Sequence, residues 1–387
     1  MTHRAAIVGA GHTPFGSLDS GPRALVRSAV RGAFASVDRG AERRDVHEAF
    51  LATLGFGGHQ IGNAAAALAE EAGLVGVPVT RVENACASGA FALRSAVASL
   101  SSGVSPLVLV TGVEKMTDVT NARRRYWLGV SGDTEWERSA GLTFAGVYAL
   151  IASRYFAEHG DASEALAEVA SKNHENGALN PNAHFHRKVT REEVRAAPRV
   201  ARPLGLFDCC PVSDGAAALL LTTPELAHRF TDTPVYVDAT GAGTDFLAVQ
   251  ERPELTRFRA THLAAHEAFR SAGWNRSDVS LLEVHDCFTI AELLALEDLG
   301  FVGPGEAAAL TLSGATRRDG RLPVNPDGGL KAKGHPIGAT GVSQVYEVFL
   351  QLRGQAGQRQ VAHAEHALAH NVGGAGATAA VSLFSVG

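Results

Sequence analysis

The chain has 387 residues, 45% hydrophobic and 19% charged; that balance excludes disorder, collagen and coiled coil, and the length calls for two domains or one duplicated domain. The formal charge is −5, so no basic surplus draws the chain to nucleic acid. Its four cysteines, at 86, 209, 210 and 287, form neither a disulfide framework nor a zinc pattern, and no apolar run approaches the ~20 residues of a membrane span.

The N-terminus, MTHRAAIVGAGHTPFG, lacks a secretory apolar region, and with free thiols this predicts a cytoplasmic protein. AAIVG is the first predicted strand, running into a Gly-Ala-Gly turn at 9–11 that is too short to claim a nucleotide. A helix follows, its apolar stripe Leu25, Val26, Ala29, Val30, Ala33, Phe34 and Val37 spaced at period 3.6. NACASGAF (84–91) leads into a second helix with Leu93, Val97 and Leu100 on one side and Arg94, Ser95 and Ser99 on the other. PLVLVTG (106–112) is a strand. The stretch 114–205 is polar, with Arg123, Arg124 and Arg125, SGDTEWERS and NPNAHFHRK. Further strands are AAALLLT (216–222), PVYVDAT (234–240) and SLLEVHD (280–286). A helix through Ile290, Leu293 and Leu294 comes next. GLKAKGHPIGATG (329–341) then precedes a helix striped by Val342, Val345, Val348, Phe349 and Leu352, and the chain closes with AHNVGGAGATA (369–379) and SLFSVG. Apolar strands alternating with helices predict a mainly parallel sheet in a layered α/β fold.

The pattern occurs twice. AAIVGAG at 5 is matched by VDATGAG 232 residues later, AFASVDRGAERRDV (33–46) by AFRSAGWNRSDV (268–279), and CASGAFALRSAVASLSSG by HPIGATGVSQVYEVFLQLRG at an offset of 249. The halves divide as 1–233 and 234–387, with 114–205 as an insert unique to the first. Long insertions on a rigid scaffold carry substrate or subunit contacts.

Four motifs carry chemistry. Cys86 in NACASG enters a helix, where unpaired N–H groups favour a thiolate and lower its pKa; the competing reading is a buried structural thiol. His335, between Gly334 and Pro336, holds the mirror position in the second half. A pseudo-twofold axis therefore brings a Cys–His pair together, unless the histidine merely closes a turn. His285, Asp286 and Cys287 end a strand, where α/β sheets place ligands. Cys287 is a candidate second thiol acting as acid/base, His285 a candidate oxyanion donor, and Asp286 alternatively a helix cap. In AHNVGG, His370, Asn371, Gly373 and Gly374 are candidates for oxyanion stabilisation and substrate positioning. Cys209 and Cys210 read as packed thiols. His184 and His186 lack metal-ligand spacing, and no metal site is expected.

In their order, NACASG, SDGAAA, HDCF, NPDGGLKAKGHPIGATG and HNVGG resemble the thiolase superfamily over nearly the whole chain, closest to its archaeal acetyl-CoA acetyltransferase and sterol-carrier-type branch. The resemblance implies a duplicated five-layer αβαβα fold, a loop domain over the coenzyme A site, and a homodimer or homotetramer. It implies Cys86 as the acylated nucleophile, His335 as its activator, and coenzyme A or acyl-CoA as substrate with no permanently bound cofactor. This sequence departs from the common pattern in two places. His285-Asp286-Cys287-Phe288 replaces Asn-Glu-Ala-Phe, and Asn371-Val372-Gly373 replaces Cys-x-Gly, which leaves Cys287 as the candidate for the second catalytic thiol. Arg123, Arg124, Arg125, Arg187 and Lys188 are the densest cations in the insert and are expected to receive coenzyme phosphates. Three other readings stay open. They are a decarboxylating ketoacyl-synthase-like condenser using Cys86, His285 and His335, a thiolase-like acyltransferase or aldolase with a small accessory protein, and an idle lipid-binding scaffold.

Overall fold

The computed structural model describes residues 3–387. The first half contributes β1 (Ala5–His12), α1 (Pro22–Ala35), β2 (Glu48–Ala52), α2 (Ala64–Ala72), β3 (Val79–Val82), α3 (Ser88–Ser101) and β4 (Leu107–Glu114). A helical excursion follows, with α4 (Asn121–Gly129), α5 (Phe144–His159), α6 (Ser163–Gly177), α7 (Arg191–Ala196) and the small pair β5 (Arg199–Ala201) and β6 (Leu204–Gly205). β7 (Gly215–Thr222) returns to the sheet. The second half contributes β8 (Val235–Thr244), α8 (Arg259–Ala272), β9 (Leu281–Glu283), α9 (Thr289–Asp298), α10 (Ala307–Leu312), α11 (Gly329–Ala332), α12 (Thr340–Leu352), β10 (His366–Gly373) and β11 (Thr378–Val386).

Nine strands form one sheet in the order β3-β2-β4-β7-β1-β8-β11-β10-β9. The seam is antiparallel, Ala5–Ile7 of β1 on Val235–Val237 of β8. Outward from it both halves read alike: first strand, last, next to last, second. The first half adds a full third strand, β3. The second has only the bridge Leu282 to Val324 in that place, where Pro323 and Pro326 bracket Val324 and proline cannot supply a ladder N–H.

The expectation of a mainly parallel sheet is corrected. Only β2 with β3, β2 with β4, and β9 with β10 run parallel. The insert returns β7 antiparallel to β4, β10 and β11 form a hairpin, and β1 and β8 both pair with antiparallel neighbours. The Gly-Ala-Gly segments are corrected as well. They lie inside β1 and β8 rather than in turns. A Cβ on Gly11 would strike the Ala29 carbonyl of α1, and one on Gly241 the Ala264 carbonyl of α8, so these glycines let a helix lie directly on its strand.

That packing sets the layers. α1 covers β1 and β7 from outside, and α8 covers β8 and β11. Between the two halves of the sheet lie α3 and α12. α3 touches β2 and β4 of its own half and β10 and β11 of the other; α12 touches β9 and β10 and also β1, β4 and β7. The order is αβαβα. α3 and α12 meet where a Cβ on Gly89 would come within 2.7 Å of the Val342 nitrogen. Their apolar stripes, Leu93, Val97 and Leu100 with Val342, Val345, Val348, Phe349 and Leu352, share one buried cluster. The insert packs on the second half, α5 against α9 and α6 against α9, α10 and α11.

Candidate active site

Cys86 rides on a strained turn. Ala85 has φ 48°, in the left-handed region, which costs a residue with a Cβ of order 1–3 kcal/mol unless its surroundings enforce it. They do so here. The Ala85 N–H donates to Glu83 Oε1 at 2.6 Å, the Asn84 N–H donates to Ser88 Oγ at 2.9 Å, and the Ser88 hydroxyl donates to the Ala85 carbonyl. Small neighbours make the turn possible, and α3 starts two residues later.

His335 is reached through Gly334 at φ 112°. Its N–H donates to Ser213 Oγ at 3.3 Å. α12 starts at Thr340, five residues after His335, whereas α3 starts two after Cys86. The expected mirror placement is therefore three residues out of step, because the Pro-Ile-Gly-Ala turn lengthens the approach. The convergence survives this. Glu114, closing β4, ties the His335 loop to the first half. Oε2 accepts from the Leu54 and Gly338 N–H groups at 2.9 and 3.0 Å, and Oε1 from Gly55, Phe56 and the Thr53 hydroxyl.

The 285–287 segment follows β9, which ends at Glu283. Asp286 caps α11, accepting from the Leu330 N–H at 2.6 Å, and also accepts from Asn173 Nδ2 at 2.7 Å. Burial, and then the Glu292 charge, push its carboxyl up to about 7 against those N–H donors. Asn371 Nδ2 donates to His285 Nδ1 at 3.0 Å.

These segments meet. The ligand-capable atoms of Cys86, His285 and His335 all lie within 4.8 Å of one another, at a cavity of about 680 Å³ that Cys287 also lines. The hydrogen bonds fix the two imidazoles differently. Thr340 Oγ1 gives its proton to the Pro336 carbonyl at 2.9 Å, so at 2.6 Å it accepts from His335 Nδ1–H. The remaining nitrogen, Nε2, then carries a lone pair. His285 accepts at Nδ1, so its Nε2 carries a proton, and that atom is buried without another partner. Among the described residues this is the cluster with metal-ligand spacing, but a base beside a proton donor reads as acid–base chemistry.

Burial dominates the electrostatics. His335 is pushed down to about 3 by burial and then by the Lys333 charge. His285 is held well below its ordinary range by burial, with the His335 and His370 charges adding. Cys86 is pushed up to about 12 by burial, then by Cys210 and Glu114, against the N–H groups of Gly374 and of Cys86 itself. This corrects the expectation of a lowered thiol. Two N–H donors do not offset the loss of water and a carboxylate close by. The resting pair is a neutral thiol beside a neutral imidazole.

The other expected residues divide. It is the Gly374 N–H, not that of Gly373, that reaches the Cys86 sulfur; Gly373 is needed for close approach, since a Cβ there would strike the Asn84 carbonyl. His370 turns to the opposite face of β10 from Asn371 and pairs with Thr261 of α8 at 2.9 Å, as strand alternation demands. Arg125 lines the cavity. Arg124 folds back on Asn121 and the carbonyls of Thr117 and Val119. Arg123 lies beside Gly58. Arg187 and Lys188 pair with Glu193 and Glu175 and are not among the cavity-lining residues. All four cysteines line the one cavity, which their spacing gave no sign of. Glu114 was also missed, although an acid closing the apolar run LVLVTGVE was a visible signal. Tyr148, in the same wall, carries no such mark. Among the described residues no helix is long and apolar enough to cross a membrane.

Residues 5–225 match the family model of the thiolase N-terminal domain, and residues 241–386 that of the thiolase C-terminal domain-like family. An acetyl-CoA acetyltransferase of Methanothermobacter thermautotrophicus is 46% identical, covering 98% of this chain and 99% of that protein. Sterol carrier protein 2 of Gallus gallus is 34% identical over 81% of this chain and 60% of its own. A solved structure titled Ltp2-ChsH2(DUF35) aldolase superposes with a TM-score of 0.85 at 24% identity, covering 98% of this chain and 97% of its own.

Proposed function

The chain belongs to the thiolase family, and from that premise we infer an enzyme, an acyl-CoA C-acyltransferase that passes an acyl group to or from coenzyme A through a cysteine thioester in a reversible Claisen condensation. One observation carries the assignment of roles: Cys86, His285 and His335 converge within 4.8 Å at the cavity that Cys287 shares.

We propose these roles. His335 Nε2 takes the Cys86 proton as the sulfur attacks the thioester carbonyl. The C–S bond to coenzyme A breaks, and its thiolate leaves with the proton from His335. The N–H groups of Cys86 and Gly374 steady the charge at this centre. A second acyl-CoA then loses a proton from the carbon beside its carbonyl to the Cys287 thiolate, while His285 Nε2–H, with its ring held by Asn371, supports the enolate oxygen. The enolate carbon bonds to the acyl carbon, and Cys86 leaves as thiolate.

The proposal extends to binding and assembly. The insert wall receives the coenzyme, with Arg125 at the cavity and Arg123 and Arg124 on the same helix as phosphate partners. The chain divides near residue 233 into two halves of one catalytic unit. It works in the cytoplasm as a homodimer or homotetramer, with a small accessory protein as a further candidate partner; support for the latter is that the similar aldolase, Ltp2-ChsH2(DUF35), has two components. A mass shift from acetyl-CoA is expected on the peptide holding Cys86 and absent from Cys86→Ala, which keeps its fold. Label on any other peptide would sink the assignment.

A further inference from the structure

A buried thiol is a poor base, and Cys287 is buried. Burial pushes it far up, and the negative charges of Cys86 and Asp286 push the same way. Something must favour its thiolate if it is to take a proton from carbon. One side chain is placed to do so. Tyr148 on α5 is completely buried, stacked on Phe288 with ring centroids 4.5 Å apart and edge-on to Phe258 at 6.2 Å. Tyr148 lines the cavity, and its buried hydroxyl makes no hydrogen bond of ordinary geometry. Buried hydroxyls are seldom left so. The group it is coupled to is the Cys287 thiol, and among the influences favouring the thiolate Tyr148 is the largest. Behind it stands the buried Arg252, whose charge acts on Tyr148 and whose guanidinium is held by the carbonyls of Phe246 and Ala375.

We propose that Tyr148 is the positioning residue for the second thiol, its O–H donating to the Cys287 sulfur whenever that sulfur is a thiolate. The phenol keeps its proton throughout. Cys287 alone takes the proton from carbon and returns it in the reverse direction. In the resting enzyme the thiol is neutral and a weak acceptor, so the phenol gains a strong partner only when the sulfur is charged. The phenyl stack on Phe288 holds the ring beside the residue it serves.

This inference rests on the thiolase reading, and the test separates the two. Tyr148→Phe keeps the ring and its stacking and removes only the donor. Cys86 acetylation and condensation are measured side by side for the full-length wild type and the variant. The expected result is acetylation unchanged, KM for acetyl-CoA unchanged, and condensation kcat lowered by about 10- to 100-fold, as for a lost hydrogen bond to an anion. The base must be deprotonated, so its rate limb rises with pH. Losing the donor raises the Cys287 titration and moves that limb to higher pH. Alkylation of Cys287, followed by peptide mass, reads the same shift without turnover. Unchanged condensation, or acetylation falling as far as condensation, overturns the role of Tyr148. Failure of the wild type to acetylate at Cys86 overturns the thiolase reading instead.

Discussion

The turn bearing Cys86 and the segment bearing Cys287 put the same side chain into one cavity under opposite terms. Cys86 is half-buried on a strained turn and cradled by two N–H groups, those of Gly374 and of Cys86 itself. Cys287 is buried, beside the Asp286 carboxyl and the Tyr148 phenol. The difference teaches that surroundings, not residue type, set two thiols of one cavity apart. The less buried sulfur, with N–H groups beside it, suits covalent attack. The recessed one, facing a phenol, suits moving a proton.

Breaking the recessed side gives the largest effect. Cys287→Ala is expected to acetylate at Cys86 normally yet lose ~10²–10⁴ in condensation rate. Near wild-type condensation would hand the base to His285 and favour a ketoacyl-synthase-like reading.

Glu114 sharpens the contrast, because its charge acts on Cys86 and is not among the influences on Cys287. Glu114→Gln removes that charge, so Cys86 should alkylate at lower pH while Cys287 does not shift. The amide also turns a donor toward the Leu54 or Gly338 N–H, and the protein should lose about 1–3 kcal/mol in denaturant titration. Equal shifts in both thiols would refute this one-sided influence.

The smallest effect comes from buried histidines. His335 and His370 are both held down to about 3, chiefly by burial. The unfolded chain binds protons below its ordinary histidine range, near 6.5, while the folded protein does not, so stability falls as pH drops from there toward 3. Each contributes up to about 1.4 kcal/mol per pH unit. His370→Gln should flatten the slope between pH 6.5 and 5 in denaturant midpoints, leaving the shares of His335 and the other buried histidines. An unaltered slope would count against His370 as one of its sources.

Much of this was legible in the sequence. The helix stripes, the insert, and Cys86, His335, His285 and Cys287 as side chains of one site all rest on local patterns, because periodicity and glycine-dense motifs are written within a few residues. What only the tertiary structure decided depends on segments far apart. Strand direction turned on how the insert returns the chain to β4. The choice of Asn371 over His370 turned on which face of β10 meets α12. The tautomers turned on Thr340 and Asn371, the raised Cys86 thiol on burial with Cys210 and Glu114 nearby, and the gathering of all four cysteines on the packing of the two halves with the insert. Desolvation is a property of everything that surrounds a group, and no window of sequence contains it.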